Sequence, residues 1–515
     1  MGRLKTETIN GAKWQFLQKL TLQPVQVMYS MVLARLISPA EMGVLGLTAI
    51  FFAVAGQLAS AGFGSALIRK VDRTDEDINT MFWFNAGMSL LMALILMTAS
   101  PWIAEFYNIP DLMPLTCVSA GMMFLNSLGG VHWTLYTCRR DFKTPAIIHT
   151  VVTIISMPVC LVLAFHGWSY WAVVAQGVVS GLLNLAVVWY VSPWKPRFVF
   201  SRRSFCELFG FGSKLAASGL LYVLYSNLRT FIVGKFYSPA DLGLYTRGTH
   251  TATMLPQTVR GVLDSVSYPV LATVQDDDDR LINAYRKYIS VSTLALAWVS
   301  LTTCALAAPL VSVMYGEAWL GCVPFLQLVC ISSSVDHVGG INLNLLKVKG
   351  RSDLFLRLEI IKRSISVGML LYAATISPLA ICIAGCIYVQ MAIFINCYYT
   401  GKLLNLTWWK QQRDYMPYVG IAICCNLPAL GLAQLPIGAW FPTGDTAATA
   451  LHYGALLLVL AVGGGLSALL YFGVLTLRRD SALLELLVTL SNHPKLGKLR
   501  MIRKWSAYVA AQPNG

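Results

Sequence analysis

Arg229, Arg247, His250, Gln257, Arg260, Asp264 and Asp336 are polar or charged residues set inside long apolar stretches. Placing an ionisable group within a bilayer costs at least ~2.5 kcal/mol on insertion scales, so a row of them is expected to face a wet cavity. Arg229 sits in Y-S-N-L-R-T-F with no acidic neighbour in its own helix. Arg247, His250, Met254, Gln257, Arg260, Gly261 and Asp264 follow at spacings of three and four, which lines them along one helix face. A cationic stripe in a cavity suits an anionic ligand, and the arginine fork suits phosphate because it binds two oxygens at once. Arg229 and Arg260 are the leading candidates, with Arg247, His250 and Gln257 assisting. Lys19, with Gln23 and Gln26, gives the first apolar stretch a weaker polar face.

Plainer accounts stand beside these. Arg260 and Asp264 are an i,i+4 pair and can neutralise each other. Arg247, near an external end, and Lys19, near an internal one, can snorkel. Asp264 and Asp336 are candidates for ion coupling, but Asp336-His337 equally reads as a satisfied polar pair between helices. Glu359 with Lys362 and Arg363 reads as an ion pair at a helix start, and the Asp276 to Asp279 run as a solvated loop.

Nothing in the sequence argues for chemistry on a substrate. There is no P-loop, G-x-S-x-G, H-E-x-x-H or paired-carboxylate arrangement. The 12 cysteines are scattered through apolar runs without zinc-type spacing, so neither a metal nor a cofactor is expected. The enzyme alternative, a polytopic polymerase or ligase, needs a substantial external loop, and every external loop here is short.

The elements that must hold these residues are apolar helices. The chain has 515 residues, of which 56% are hydrophobic and only 12% charged, with a mean hydropathy of +0.61. That composition specifies an all-α polytopic membrane protein. Apolar stretches long enough to cross a bilayer number about fourteen by the ~20-residue criterion. Basic clusters such as Arg69-Lys70, Arg139-Arg140 and Arg202-Arg203 fall in alternate connections. The net charge of +15 therefore reports loops facing the cytoplasm rather than nucleic acid. The same asymmetry places both termini in the cytoplasm, and no cleavable signal peptide is expected.

One stretch occurs twice. Residues 34–47 read A-R-L-I-S-P-A-E-M-G-V-L-G-L, and residues 234–247 read G-K-F-Y-S-P-A-D-L-G-L-Y-T-R. Ser38, Pro39, Ala40 and Gly43 recur as Ser238, Pro239, Ala240 and Gly243, an offset of 200 residues. In each copy Ser-Pro-Ala-acid separates two apolar segments and reads as a helix start. Six spans lie between equivalent points, so the copies run parallel about a pseudo-two-fold along the membrane normal. The expected organisation is a first lobe over 1–192, a linker over 193–204 and a second lobe over 205–403. Two further spans occupy 404–477, and a basic tail 478–515. Leu483 to Leu490 in that tail is expected to form an amphipathic surface helix.

A-R-L-I-S-P-A-E-M-G, A-S-A-G-F-G-S-A-L-I-R-K at 59–70, R-R-D-F-K at 139–143 and the second S-P-A-D-L-G-L-Y carry a resemblance. Over roughly residues 1–480 the chain resembles the Wzx-type polysaccharide flippases of the multidrug/oligosaccharidyl-lipid/polysaccharide exporter superfamily, most of all the branch with colanic acid exporters. The resemblance implies a MATE-like fold of two six-helix lobes plus two C-terminal helices. It also implies export of undecaprenyl-diphosphate-linked oligosaccharide units by alternating access across a bacterial inner membrane, for exopolysaccharide, capsule or O-antigen. The partners it implies are that lipid-linked oligosaccharide and the bilayer, a polysaccharide polymerase and chain-length regulator, and H+ or Na+ as coupling ion. An alternative of the same fold, a MATE-type drug/cation antiporter, calls for an acidic cavity, and the stripe here is basic.

Overall fold

Proline at a first helical position loses no helix bond, and serine before it accepts from the freed amides. Both repeats use this. In the computed structural model Ser38 caps the helix Pro39–Ser60, and its own amide donates to Glu41 at 2.7 Å, closing a capping box. Ser238 and Asp241 do the same at the start of Pro239–Thr273, at 3.2 and 3.1 Å.

The structure describes the backbone of residues 2–273, 277–349, 351–404, 406–436, 446–491 and 505. Within the helices, the side chains of 2–13, 15–17, 20, 262–270, 272–273, 347, 352, 446–447 and 489–491 are excepted. The described residues form α1 (Gly2–Leu36), α2 (Pro39–Ser60), α3 (Phe63–Arg69), α4 (Asp75–Tyr107), α5 (Leu112–Cys138) and α6 (Lys143–Phe165). Then come α7 (Trp171–Val191), α8 (Arg202–Phe236), α9 (Pro239–Thr273), α10 (Asp278–Ala305) and α11 (Ala307–Tyr315). After a 3₁₀ turn (Glu317–Cys322) follow α12 (Val323–Ser333), α13 (Asp336–Val348), α14 (Ser352–Ala373), α15 (Pro378–Leu404) and α16 (Trp408–Ala433). The last two are α17 (Thr446–Leu477) and α18 (Ser481–Ser491). Among the described residues, eleven helical segments are long and apolar enough to cross a membrane. The charged helices α1, α9 and α14 lie outside that set, although they run for 35, 35 and 22 residues. The chain is thus an all-α, multi-pass membrane protein.

Contacts divide it into two units, Met1–Gly243 and Leu244–Gly515. In the first, α2 lies along α8. Gly62, at φ +73°, and Gly212 let the backbones meet, since a Cβ on either would strike the other's main chain. The two serine-proline starts also touch here. A Cβ on Gly43 would overlap the Pro239 carbonyl oxygen, and one on Gly243 would overlap that of Pro39. This is the reciprocal contact that two-fold-related elements make. The segment before α8 is pinned to α4: Asn79 accepts from the Arg197 amide at 2.7 Å, and Thr80 from that of Ser201 at 3.0 Å.

In the second unit, α10 and α16 form the core with α13, α15 and α17. Tyr285, fully buried, donates toward Asn342 and Gln411 at 2.8 and 2.9 Å. Arg286 grips Asp414 with two nitrogens, at 2.9 and 2.7 Å. The tail helix α18 forms as its periodicity predicts, but its apolar face is not left for lipid. Leu483 and Leu487 are buried against Leu294, Tyr418, Tyr471 and Leu475, and Asp480 caps the helix start. The acidic run is likewise a helix start rather than a free loop. Asp277 accepts from the Arg280 amide at 3.0 Å, and Asp278 and Asp279 fill the first turn of α10, where the helix dipole favours them. Asp276 lies outside the described residues.

Candidate functional site

α8 is a continuous helix whose last third carries Ser226, Asn227 and Arg229 between apolar turns. Ser226 and Asn227 satisfy themselves on the Val223 carbonyl, at 3.1 and 2.9 Å. Arg229 does not follow them. It is half-buried, and among the described residues its guanidinium has neither an ion pair nor a hydrogen bond. Arginine keeps its charge in any protein environment, so a half-buried guanidinium without a partner keeps all five donors for an incoming anion.

α9 carries the three-and-four row as one helix, and its residues part company. His250, Gln257 and Gly261 are exposed. Arg247 instead lies over the rings of Tyr315 and Trp319, 4.8 and 5.1 Å from their centroids. Gly248 makes this possible: a Cβ there would crowd the Cys322 carbonyl at 2.7 Å and Phe325 at 3.0 Å, so α9 comes in close beside the aromatic pair. Thr251 adds a hydrogen bond to the Tyr315 hydroxyl at 2.9 Å. Arg247 is thus engaged by cation–π contact, worth up to ~2 kcal/mol when desolvated.

Arg260 meets Asp336, Nη1 to Oδ2 at 2.7 Å, with the two side chains 36% and 51% exposed. Asp336 is an acid on α13, 76 residues away; the Asp264 side chain, the partner named from the sequence, lies outside the described residues. Gly340 clears the space, because a Cβ there would stand 2.6 Å from the guanidinium. That glycine, one α-helical turn after Asp336, is the functional residue that sequence reasoning missed; its only trace is the D-H-V-G-G string. Asp336 and His337 point differently. His337 is buried, with Nε2 2.8 Å from the Thr293 hydroxyl and Nδ1 without a partner among the described residues. Lys19 is exposed on α1, as is Gln26, with Gln23 half-buried between them. Lys362 pairs with Glu359 at 2.5 Å and is buried within α14, well past its start. Among the described residues no cluster of three or more metal-ligating side chains occurs.

Comparison with known proteins gives this architecture a family. The chain is 23% identical over 433 residues to the lipopolysaccharide biosynthesis protein WzxC of Escherichia coli K12, covering 83% of this chain and 87% of that one. It is 23% identical to the succinoglycan biosynthesis transport protein ExoT of Rhizobium meliloti, over 94% of this chain and 95% of the relative. Among solved structures, the lipid II flippase MurJ in its inward closed conformation matches with a TM-score of 0.59 at 11% identity, over 91% of this chain and all of that one. An inward-facing multidrug resistance MATE transporter matches at 0.55 and 15% identity, over 75% and 94%. At such identities the structural matches establish the fold, a MATE-like arrangement of helices. Residues 32–324, more than half of the chain, match the family model described as polysaccharide biosynthesis protein. The chain belongs to that polysaccharide biosynthesis protein family.

Proposed function

We propose that this protein is a flippase that moves undecaprenyl-diphosphate-linked oligosaccharide units across the bacterial inner membrane by alternating access. The observation that carries the reading is Arg229, a half-buried guanidinium unpaired among the described residues, in a helix apolar enough to span the bilayer. Such a group is costly without a ligand and matches the charge of a lipid diphosphate. The family supports the same reading, since its members here are named for polysaccharide biosynthesis and transport. The charged helices α1, α9 and α14 would complete fourteen spans and leave both termini in the cytoplasm.

Arg260 is the second phosphate group in this proposal. A half-exposed ion pair is worth only ~0–1 kcal/mol, so a diphosphate can take the guanidinium from Asp336. A carboxylate displaced in this way becomes available to a proton or Na+, which makes Asp336, with Asp264, the candidate for coupling. Lys19, His250 and Gln257 offer further polar contacts. Delivery to a polymerase and chain-length regulator belongs to the same reading.

The test is leaflet-resolved accumulation of lipid-linked oligosaccharide in a strain lacking this protein, complemented with wild type or Arg229→Ala at matched levels. Units held on the cytoplasmic side and released only by wild type are expected. Units that reach the periplasm without the protein would sink the flippase reading. Full rescue by Arg229→Ala would remove Arg229 from it.

A further inference from the structure

Within the first unit, two adjoining cavities of about 380 and 320 Å³ lie among α1, α5, α6 and α7, sharing Trp133 and Asn184 as a common wall. Each falls in the ~300–1,000 Å³ range of small-molecule sites. The polar lining is Gln18, Asn126, His149, Ser180 and Asn184, and among the described residues no Asp, Glu, Lys or Arg contributes. Glycines set the wall back: Gly177 has open space where a Cβ would stand, and at Gly181 a Cβ would collide with Met122 and reach Asn126 at 3.0 Å. Asn184 Oδ1 is buried and has no hydrogen-bond partner among the described residues. The side chains of Gln18, Asn126 and Ser180 likewise have none there.

The chemistry of this lining selects its ligand. Among the described residues an anion would be desolvated with no lysine or arginine to meet it, and a cation would find no carboxylate. A purely apolar molecule would strand the amides of Asn126 and Asn184 without partners. A neutral polyhydroxylated ring avoids all three penalties. Its hydroxyls both donate and accept, as the Asn, Gln and Ser groups do, and its C–H face packs on an indole. We propose that this cavity is a glycan subsite that holds an uncharged pyranose of the transported unit, apart from the arginines that meet the diphosphate. The inference rests on the flippase reading for the origin of the sugar, but not for its binding.

The experiment is fluorine NMR on the full protein in lipid nanodiscs, labelled with 5-fluorotryptophan. The chain has 14 tryptophans, so the Trp133 resonance is assigned as the one lost in Trp133→Phe. Methyl glycosides of glucose, galactose and N-acetylglucosamine are titrated in turn, with pyrophosphate and glycerol as controls. A saturable shift of the Trp133 signal with at least one glycoside and neither control is expected. Asn184→Ala should weaken that glycoside by ~2- to 12-fold, the loss of one neutral hydrogen bond. No response to any of the three glycosides, or an equal response to glycerol, overturns the subsite. Failure here with normal flipping in the leaflet assay leaves the flippase reading standing. Saturable binding here, together with flipping in a strain lacking the protein, overturns that reading and leaves a sugar site.

Discussion

α1 and α8 are repeat mates: 35 residues each, Gly2–Leu36 and Arg202–Phe236, offset by 200. Position 29 holds a tyrosine and position 229 an arginine. Tyr29 packs beside Leu33, Ile37 and Cys160, and its hydroxyl donates to Gln176. Among the described residues Arg229 has no such anchor. The same offset sets Leu47 against Arg247, Ile50 against His250 and Ser60 against Arg260, while Gln57 and Gln257 agree. Ser-Pro-Ala-acid and its glycine are held in common, yet every cation of the stripe belongs to the second copy. Where the copies agree they build the frame; at 29 against 229 the first is satisfied within the protein and the second offers charge.

The sharpest way to break this contrast is to import the first copy's residue into the second. Arg229→Tyr should cut export at least about tenfold at matched protein level, since hydrogen bonds to charged groups contribute ~1.5–3 kcal/mol. Flux of lipid-linked units to the periplasm measures it. Arg229→Lys should fall between, because lysine keeps the charge without the fork. Unchanged flux in Arg229→Tyr would reduce the asymmetry to drift.

Shared positions predict the opposite, equal effects. Gly43→Ala and Gly243→Ala each push a methyl into a proline carbonyl of the other copy, so each should destabilise by ~1–3 kcal/mol. Thermal unfolding in detergent, compared between the two variants, checks it. A large loss in one and none in the other would show that the reciprocal contact is not shared equally.

Tyr29→Phe tests the satisfied side. It removes one hydrogen bond to Gln176 and should lower stability by ~0.5–1.5 kcal/mol, with export per folded molecule unchanged. Reduced flux at normal stability would mean that the first copy also works on the substrate.

The parts legible in the sequence are those set by local or periodic rules. The capping boxes at Ser38 and Ser238 follow from residues three apart, and the apolar helices from composition. Arg229 stood out because no acidic neighbour lies near it along its own helix, which is again local information. What escaped depended on distant packing. Arg260 was read against Asp264 four residues along, and the acid the structure sets on it, Asp336, lies 76 away, because a side chain pairs with whatever faces it. Arg247 reads as a snorkelling group until Gly248 brings α9 against the aromatic pair. The tail helix shows its apolar stripe in sequence, but α10, α16 and α17 cover that stripe only in three dimensions. The polar cavity beside Gly129 likewise appears only once α5 and α7 are packed.

The smallest expected effect concerns Arg260, a cation of the stripe paired with an acid. If Asp336 and a diphosphate compete for Arg260, Asp336→Asn removes the competitor while keeping the side chain's size. Affinity for pyrophosphate, measured by calorimetry on the purified protein, should then rise by up to about fivefold, the equivalent of the ~0–1 kcal/mol such an exposed pair contributes. Arg260→Ser should weaken the same binding, and adding Asp336→Asn to it should change nothing more, because the guanidinium both groups sought is gone. That non-additivity separates competition from a general change in local charge, which would raise affinity in either background. Weaker binding in Asp336→Asn alone would reverse the assignment: the carboxylate would then be aiming Arg260 at the ligand, and the second copy's charge would be pre-organised rather than held in check.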